Sequence, residues 1–172
     1  MVMEEANAAE VRAKHAENIY NALVKICDER EWHYTRHDEQ KMLDFMLTGD
    51  DLVMRFFIMV DEERQLVRIS SPMMFRPNRN NSLNICLATT VINYLLQDGN
   101  FEYDPKNNTL QFRMTASILH GNFGIGLFNY LIDCACTTVD RYNDKLFAVS
   151  LGYLGLDDIL KDEFARGSSD NS

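Results

Sequence analysis

The sequence predicts an α+β domain: one antiparallel sheet flanked by helices, in the order α-β-β-β-β-α-β-β-α with a short helix at the end. Three observations predict it. Apolar residues recur every three or four positions in three long segments, which is helical spacing. Between those segments they alternate with period two, as in Leu110, Phe112, Met114, Ala116 and Ile118 against Gln111, Arg113, Thr115 and Ser117. The connections are short and carry turn residues, which suits hairpins and not parallel crossovers.

From about Ala6 to Glu29, Val11, His15, Ile19, Leu23 and Ile26 form one helical stripe. "EWHYT" then turns aromatic and β-branched, as strands do. "KMLDFMLT" and "DLVMRFFIMV" follow, joined by Gly49-Asp50, and "QLVRISS" comes after the charged turn Asp61-Glu62-Glu63-Arg64. Pro72 and Pro77 break regular structure in "SPMMFRPNRNNS", after which Asn80, Asn81 and Ser82 are candidate N-caps. The next helix places Leu83, Leu87, Val91, Tyr94 and Leu95 on one side, widened by Ile85, Ala88 and Ile92, and Gly99 is expected to end it.

"FEYDPKNNTLQFRM" reads as a hairpin: Pro105 presets a turn and Asn tolerates left-handed backbone. "HGNFGIG", with Asn122 as expected cap, enters a last long helix. That helix carries Phe123, Leu127, Leu131, Cys134 and Thr138 beside Phe128, Ile132, Ala135 and Val139. The chain passes "RYNDKLFAVSLGYLG" and closes on an amphipathic helix with Leu156, Ile159, Leu160 and Phe164, its first turn acidic at Asp157 and Asp158. Residues 1–166 are expected to form a single domain, and 167–172 a disordered tail.

With 172 residues the chain suits one domain, and a net charge of −9 argues against nucleic acid and anionic membranes. The acidic start "MVMEEANAAE" lacks the basic, then apolar, pattern of an export signal, so a cytoplasmic protein is expected. Cys27, Cys86, Cys134 and Cys136 are then expected as free thiols.

The segment "LNICLATTVINYLLQDGNFEYDPKNNTLQFRMT", with the glycine-containing entry and the helix through "VDRYNDKL", resembles the bacterial YbjN-type proteins, whose fold is that of type III secretion chaperones. Gly99, Phe101, Asp104, Arg113, Arg141 and Tyr142 occupy the places that carry the resemblance. The hairpin turn is Asn-Asn where those proteins often have an acidic residue and glycine. The resemblance implies a domain that often dimerises and binds protein segments. It implies no reaction.

No residue pattern assembles a catalytic or cofactor site. His33 and His37 are four apart, but four residues of strand span about 13 Å, too far for one metal ion. Ser70, Ser71, Ser117 and Ser150 lack a nucleophile motif. "HGNFGIG" supplies Gly121, Gly124 and Gly126 before a helix, the context in which amides cradle phosphate, but its spacing fits no nucleotide fingerprint. A small-ligand or nucleotide sensor built on Gly121 to Gly126 stands as the alternative to a non-enzymatic protein-binding domain.

Seven of the nine methionines fall between residues 42 and 114. Met42, Met46, Phe57 and Met59 occupy the strand face that alternation assigns to polar residues. Either a second packed layer (a helix or a twin subunit) covers them, or they form an adaptable partner surface. Met73, Met74 and Phe75 can join either arrangement. A homodimer through the mixed face is expected, with a protein or peptide partner on the remaining surface.

Overall fold

The computed structural model describes residues 2–50, 52–119, 121 and 123–166. A long helix α1 (Val2–Glu29) leads into a meander of β1 (Tyr34–His37), β2 (Met42–Thr48), β3 (Val53–Asp61) and β4 (Leu66–Pro72). Helix α2 (Ser82–Leu95) follows, then the hairpin β5 (Asn100–Asp104) and β6 (Thr109–Ser117), and finally α3 (Ile125–Leu151) and α4 (Leu156–Arg166). All ladders are antiparallel, in the order β1-β2-β3-β4-β6-β5. The expected fold class and element order hold.

Register aligns one apolar face across the sheet. Phe45 pairs with Phe56, Leu43 with Ile58, Ile58 with Ile69, Ile69 with Met114, and Phe101 with Phe112. These side chains are buried, as are Ala16, Ile19, Tyr20 and Leu23 of α1 and Phe128, Leu131, Ile132 and Ala135 of α3. All belong to one core, to which each fully buried apolar side chain adds about 1.5–3 kcal/mol relative to exposure. Helix α1 packs on β3, α3 on β4 and β6, and α2 on β5, α3 and α4. Since only one sheet face is buried, the helices share that side.

Three local expectations need correction. First, α2 buries Ile85, Ala88, Thr89 and Ile92, and leaves Leu83 and Tyr94 70% and 79% exposed. Of the expected apolar face, Ile85, Ala88 and Ile92 turn inward and Val91 packs on the core, while Leu83, Leu87 and Tyr94 face outward. Second, α2 ends at Leu95, so Gly99 does not end it. Gly99 sits at φ +75 in the approach to β5, where a Cβ would lie 2.3 Å from Phe112 Cζ and 2.7 Å from Met114 Cγ. Its role is close packing at a left-handed position. Third, α3 continues through "RYNDKLFAVSL", because Tyr142, Leu146 and Val149 prolong its buried stripe. It stops at Gly152, φ +80, where the amides of Gly152 and Tyr153 close back on Val149 and Ala148 carbonyls. Its N-cap is Gly124. Asn122, the Phe164 side chain and the 167–172 tail lie outside the described residues.

The hairpin turn follows its residue chemistry. Asp104 Oδ1 accepts the amides of Lys106 (2.8 Å) and Asn107 (3.2 Å), and Asn108 adopts φ +55. Asn108 is buried: its amide donates to the Pro77 carbonyl at 2.6 Å and accepts from Tyr103 Oη at 2.8 Å. Asn108→Ala strains the left-handed backbone and removes both bonds. It is expected to cost about 2–3 kcal/mol, read from the urea midpoint.

Hydrogen bonding holds three carboxylates below the usual range: Asp61 by the Arg64 backbone amide, Asp104 by the Asn107 side chain and Asp38 by the Tyr20 hydroxyl. Each binds its proton less readily folded than unfolded, so its stabilisation is complete above the unfolded value of about 3.9. As pH falls through the depressed folded values, that stabilisation is lost. Stability is therefore expected to decline below about pH 4, and Asp61→Asn should flatten that decline in acid titrations of the unfolding midpoint.

Candidate protein-binding surface

Among the described residues, no helix packs on the second sheet face. Alternation places on it Met42, Asp44 and Met46 of β2, and Val53, Arg55, Phe57, Met59 and Asp61 of β3. Arg68 and Ser70 of β4, Gln111 and Arg113 of β6, and Glu102 of β5 join them. None of these is buried, and Met46 is 47% exposed. Register brings Met42 beside Met59, Met59 beside Arg68, and Asp44 beside Phe57. The structure therefore collects Met42, Met46, Phe57 and Met59 on one surface.

Ion pairs lace this surface. Arg55 meets Asp44 through two bonds of 3.0 and 2.6 Å, and its guanidinium lies 4.8 Å from the Phe57 ring centre. Arg113 pairs with Glu102 at 2.5 Å, and Arg68 approaches Asp61 at 3.8 Å. The methionines supply apolar area between charges that are already matched, so the face is close to neutral on an acidic chain.

A groove opens at one margin of this face. Val60 donates to the Lys41 carbonyl and Gly49 to that of Leu52, so Leu43, Phe45 and Leu47 turn their backbone groups toward β3. Met42, Asp44, Met46 and Thr48 then turn theirs outward. Strand β1 begins at Tyr34, opposite Phe45, and never reaches Met46 or Thr48. The reason is local: Glu31, at φ +55, and Trp32 bond back to Asp28 and Cys27 carbonyls at the end of α1. The β1 ladder ends at this point, so Thr48 lies beyond it. Trp32, Tyr34, Phe45, Leu47 and Arg55 surround the gap. Trp32 is held there by the Phe45 and Phe128 rings, 5.2 and 5.7 Å away, with Arg30 over it.

The other singled-out residues separate. Met73 is buried at 7% exposure and belongs to the core, whereas Met74 is 61% exposed. Phe75 packs on Phe147 of α3, their ring centres 5.1 Å apart. Met73 and Phe75 therefore do not join the sheet face. His37 ends β1, His33 precedes it, and no group of three metal-ligating side chains occurs among the described residues. Ser150 Oγ accepts the Asn78 amide, and Ser71 Oγ is buried without a partner. A Cβ at Gly121, Gly124 or Gly126 would meet nothing within 4 Å, so the loop presses its backbone on no neighbouring group. No described helix is long and apolar enough to cross a membrane.

Burial pushes the thiols of Cys27 and Cys136 up to about 11, while Cys86 is exposed on α2. Iodoacetamide at pH 8 is expected to modify Cys86 well before those two, and all four thiols only after denaturation, as followed by intact-mass spectrometry.

No family model matches this chain, and no curated protein does. Solved structures do. The ExsC–ExsE complex matches with TM-score 0.54 at 12% identity, over 74% of this chain and 92% of that one. YbjN from E. coli, a candidate transcription regulator, matches with TM-score 0.54 at 11% identity, over 73% and 92%. Likeness at such identity is likeness of fold, and it is the fold that the hairpin and its flanking helices implied: this chain has the α+β architecture of YbjN and of type III secretion chaperone complexes.

Proposed function

We propose that the chain is a non-enzymatic protein-binding domain, chaperone-like or regulatory, acting in the cytoplasm as a homodimer. The observation that carries this reading is the helix-free sheet face with Met42, Met46, Phe57 and Met59 on it. The likeness to ExsC–ExsE, itself a complex, supports it. Residues 1–166 act as one unit.

The occupant of the open face is a second copy. Six strands at about 4.8 Å spacing and up to nine residues at about 3.3 Å give roughly 700 Å² of face, close to the ~800 Å² per partner of a stable interface. Burying roughly 600 Å² of apolar surface contributes on the order of 15 kcal/mol before association costs of similar size. The face holds Arg55, Arg68 and Arg113 against Asp44, Asp61, Glu102 and Asp104. Two such faces meet with little of the −9 charge between them. Screening at physiological salt confines the remaining repulsion to about 8 Å.

Sedimentation equilibrium tests this on the wild type and on Met46→Lys with Phe57→Lys. The wild type should be dimeric at tens of micromolar and the double variant monomeric with an unchanged circular dichroism spectrum. A monomeric wild type refutes the dimer. The groove beside Met46, walled by Trp32 and Tyr34, is the place for an extended protein segment that continues the edge of β2 past the start of β1. Trp32, the single tryptophan, reports occupancy by its fluorescence.

A further inference from the structure

Helix α1 bears a surface that the sheet face and its groove leave unused. Val11, Lys14, His15 and Asn18 follow at three- and four-residue steps along one side of the helix. They border a groove whose other side is formed by Gln65, Leu119 and Gly121. Gln65 organises it. This side chain is 4% exposed, in the β3–β4 turn, at φ +52. Its Nε2 donates to the carbonyls of Arg12 (3.2 Å) and Glu62 (2.6 Å), which fixes the amide so that Oε1 faces His15 Nδ1 at 2.9 Å. Nδ1 must then carry the proton. The clip anchors this stretch of α1 against the turn.

The described lining includes Arg12, Lys14 and His15 and no Asp or Glu, on a chain with 26 acidic and 17 basic residues. Several other arginines are matched internally, as Arg36 by Asp38, Arg55 by Asp44 and Arg113 by Glu102. Among the described residues, the side chains of Arg12 and Lys14 make no hydrogen bond or ion pair. Val11 and Leu119 add apolar contact, 62% and 58% exposed. We propose that this groove docks an extended acidic segment of a partner protein, its carboxylates on Arg12 and Lys14 and an apolar side chain between Val11 and Leu119. The proposal rests on the protein-binding reading but uses a different surface. A nucleotide fits less well, because among the described residues no Phe, Tyr or Trp ring lines the groove and the glycines do not enclose a phosphate.

Fluorescence anisotropy of a labelled, amidated peptide of alternating Glu and Leu, added to the full chain, tests the proposal. Arg12→Glu with Lys14→Glu should weaken binding about tenfold or more, less so as salt rises. Val11→Ser should weaken it about threefold, while Lys106→Glu, an exposed cation in the β5–β6 turn, should leave it unchanged. The Met46→Lys/Phe57→Lys variant should bind as the wild type does, which separates this groove from the dimer face. Equal binding by the charge-reversed variant, or by a Lys/Leu peptide, overturns the proposal. So does ATP binding that depends on Arg12 and Lys14 and displaces the peptide, which would make the groove a small-anion site.

Discussion

Gly99→Ala is expected to lower the stability of this domain by about 3–4 kcal/mol. Two costs combine. At φ +75 an L side chain strains the backbone by roughly 1–2 kcal/mol. The new methyl would also lie 2.3 Å from Phe112 Cζ and 2.7 Å from Met114 Cγ. Neither side chain has room to retreat, since Phe112 is fully buried and packed on Phe101 at 5.1 Å. Overpacking of that kind costs roughly 1–3 kcal/mol. The urea midpoint should fall without a change of slope, and Tm should drop by about 10 °C. Gly126→Ala is the control: it meets open space and should leave stability unchanged or slightly raised. A Gly99→Ala protein as stable as the wild type would mean that β5 does not approach β6 as described.

Phe112→Ala carries a comparable loss, about 3–5 kcal/mol, by leaving a cavity between β5, β6 and α3. Its ring meets Phe101 in a tilted pair, and Phe101 in turn meets Tyr142 edge-on at 5.8 Å. The sharper expectation concerns the pair. Once Phe112 is truncated, the methyl of Gly99→Ala occupies space that the ring vacates, so the double variant should be more stable than additivity gives, by about 1–2 kcal/mol. Strict additivity would place the cost of Gly99→Ala in backbone strain and the Met114 contact, with none in the Phe112 ring. Phe57→Ala, on the open face, provides the contrast. It should change monomer stability by less than about 1 kcal/mol while weakening self-association.

Much of the architecture was legible in the sequence, because the signals were local. Alternation in β2, β3 and β6 fixed which side chains face the core, and the stripe of α1 did the same for the first helix. The hairpin turn followed from Asp104, Pro105 and Asn108. What was not legible depended on neighbours distant in sequence. Helix α2 is apolar nearly all round, so its own pattern could not say that Ile85, Ala88 and Ile92 face inward. The end of α3 depended on Tyr142 finding Phe101. Gly99 looked like a helix end because a left-handed glycine after a helix usually is one; its true constraint is the Phe112 ring.

The candidate site divides in the same way. Met42, Met46, Phe57 and Met59 could be assigned to one surface from alternation, and Met73 could not be excluded from it until its burial was known. The gap beside Met46 and Thr48 was invisible, since it exists only because Glu31 and Trp32 turn back onto α1. The groove along α1 was equally hidden, assembled from residues 11–18 with Gln65, Leu119 and Gly121.

The strand order has a consequence for how the chain assembles. Elements α1 to β4 and α2 to α4 are two continuous halves, and within the sheet they meet only along the β4–β6 ladder, where Ile69 opposes Met114 and Ser71 opposes Phe112. Every other ladder joins strands adjacent in the chain. The hairpins can therefore form over short loops, whereas the central seam must wait for the closure of about 45 residues, the step that topology makes slow. Amide hydrogen exchange would divide the sheet accordingly: hairpin amides labelling through partial openings of either half, and seam amides only when the whole domain comes apart.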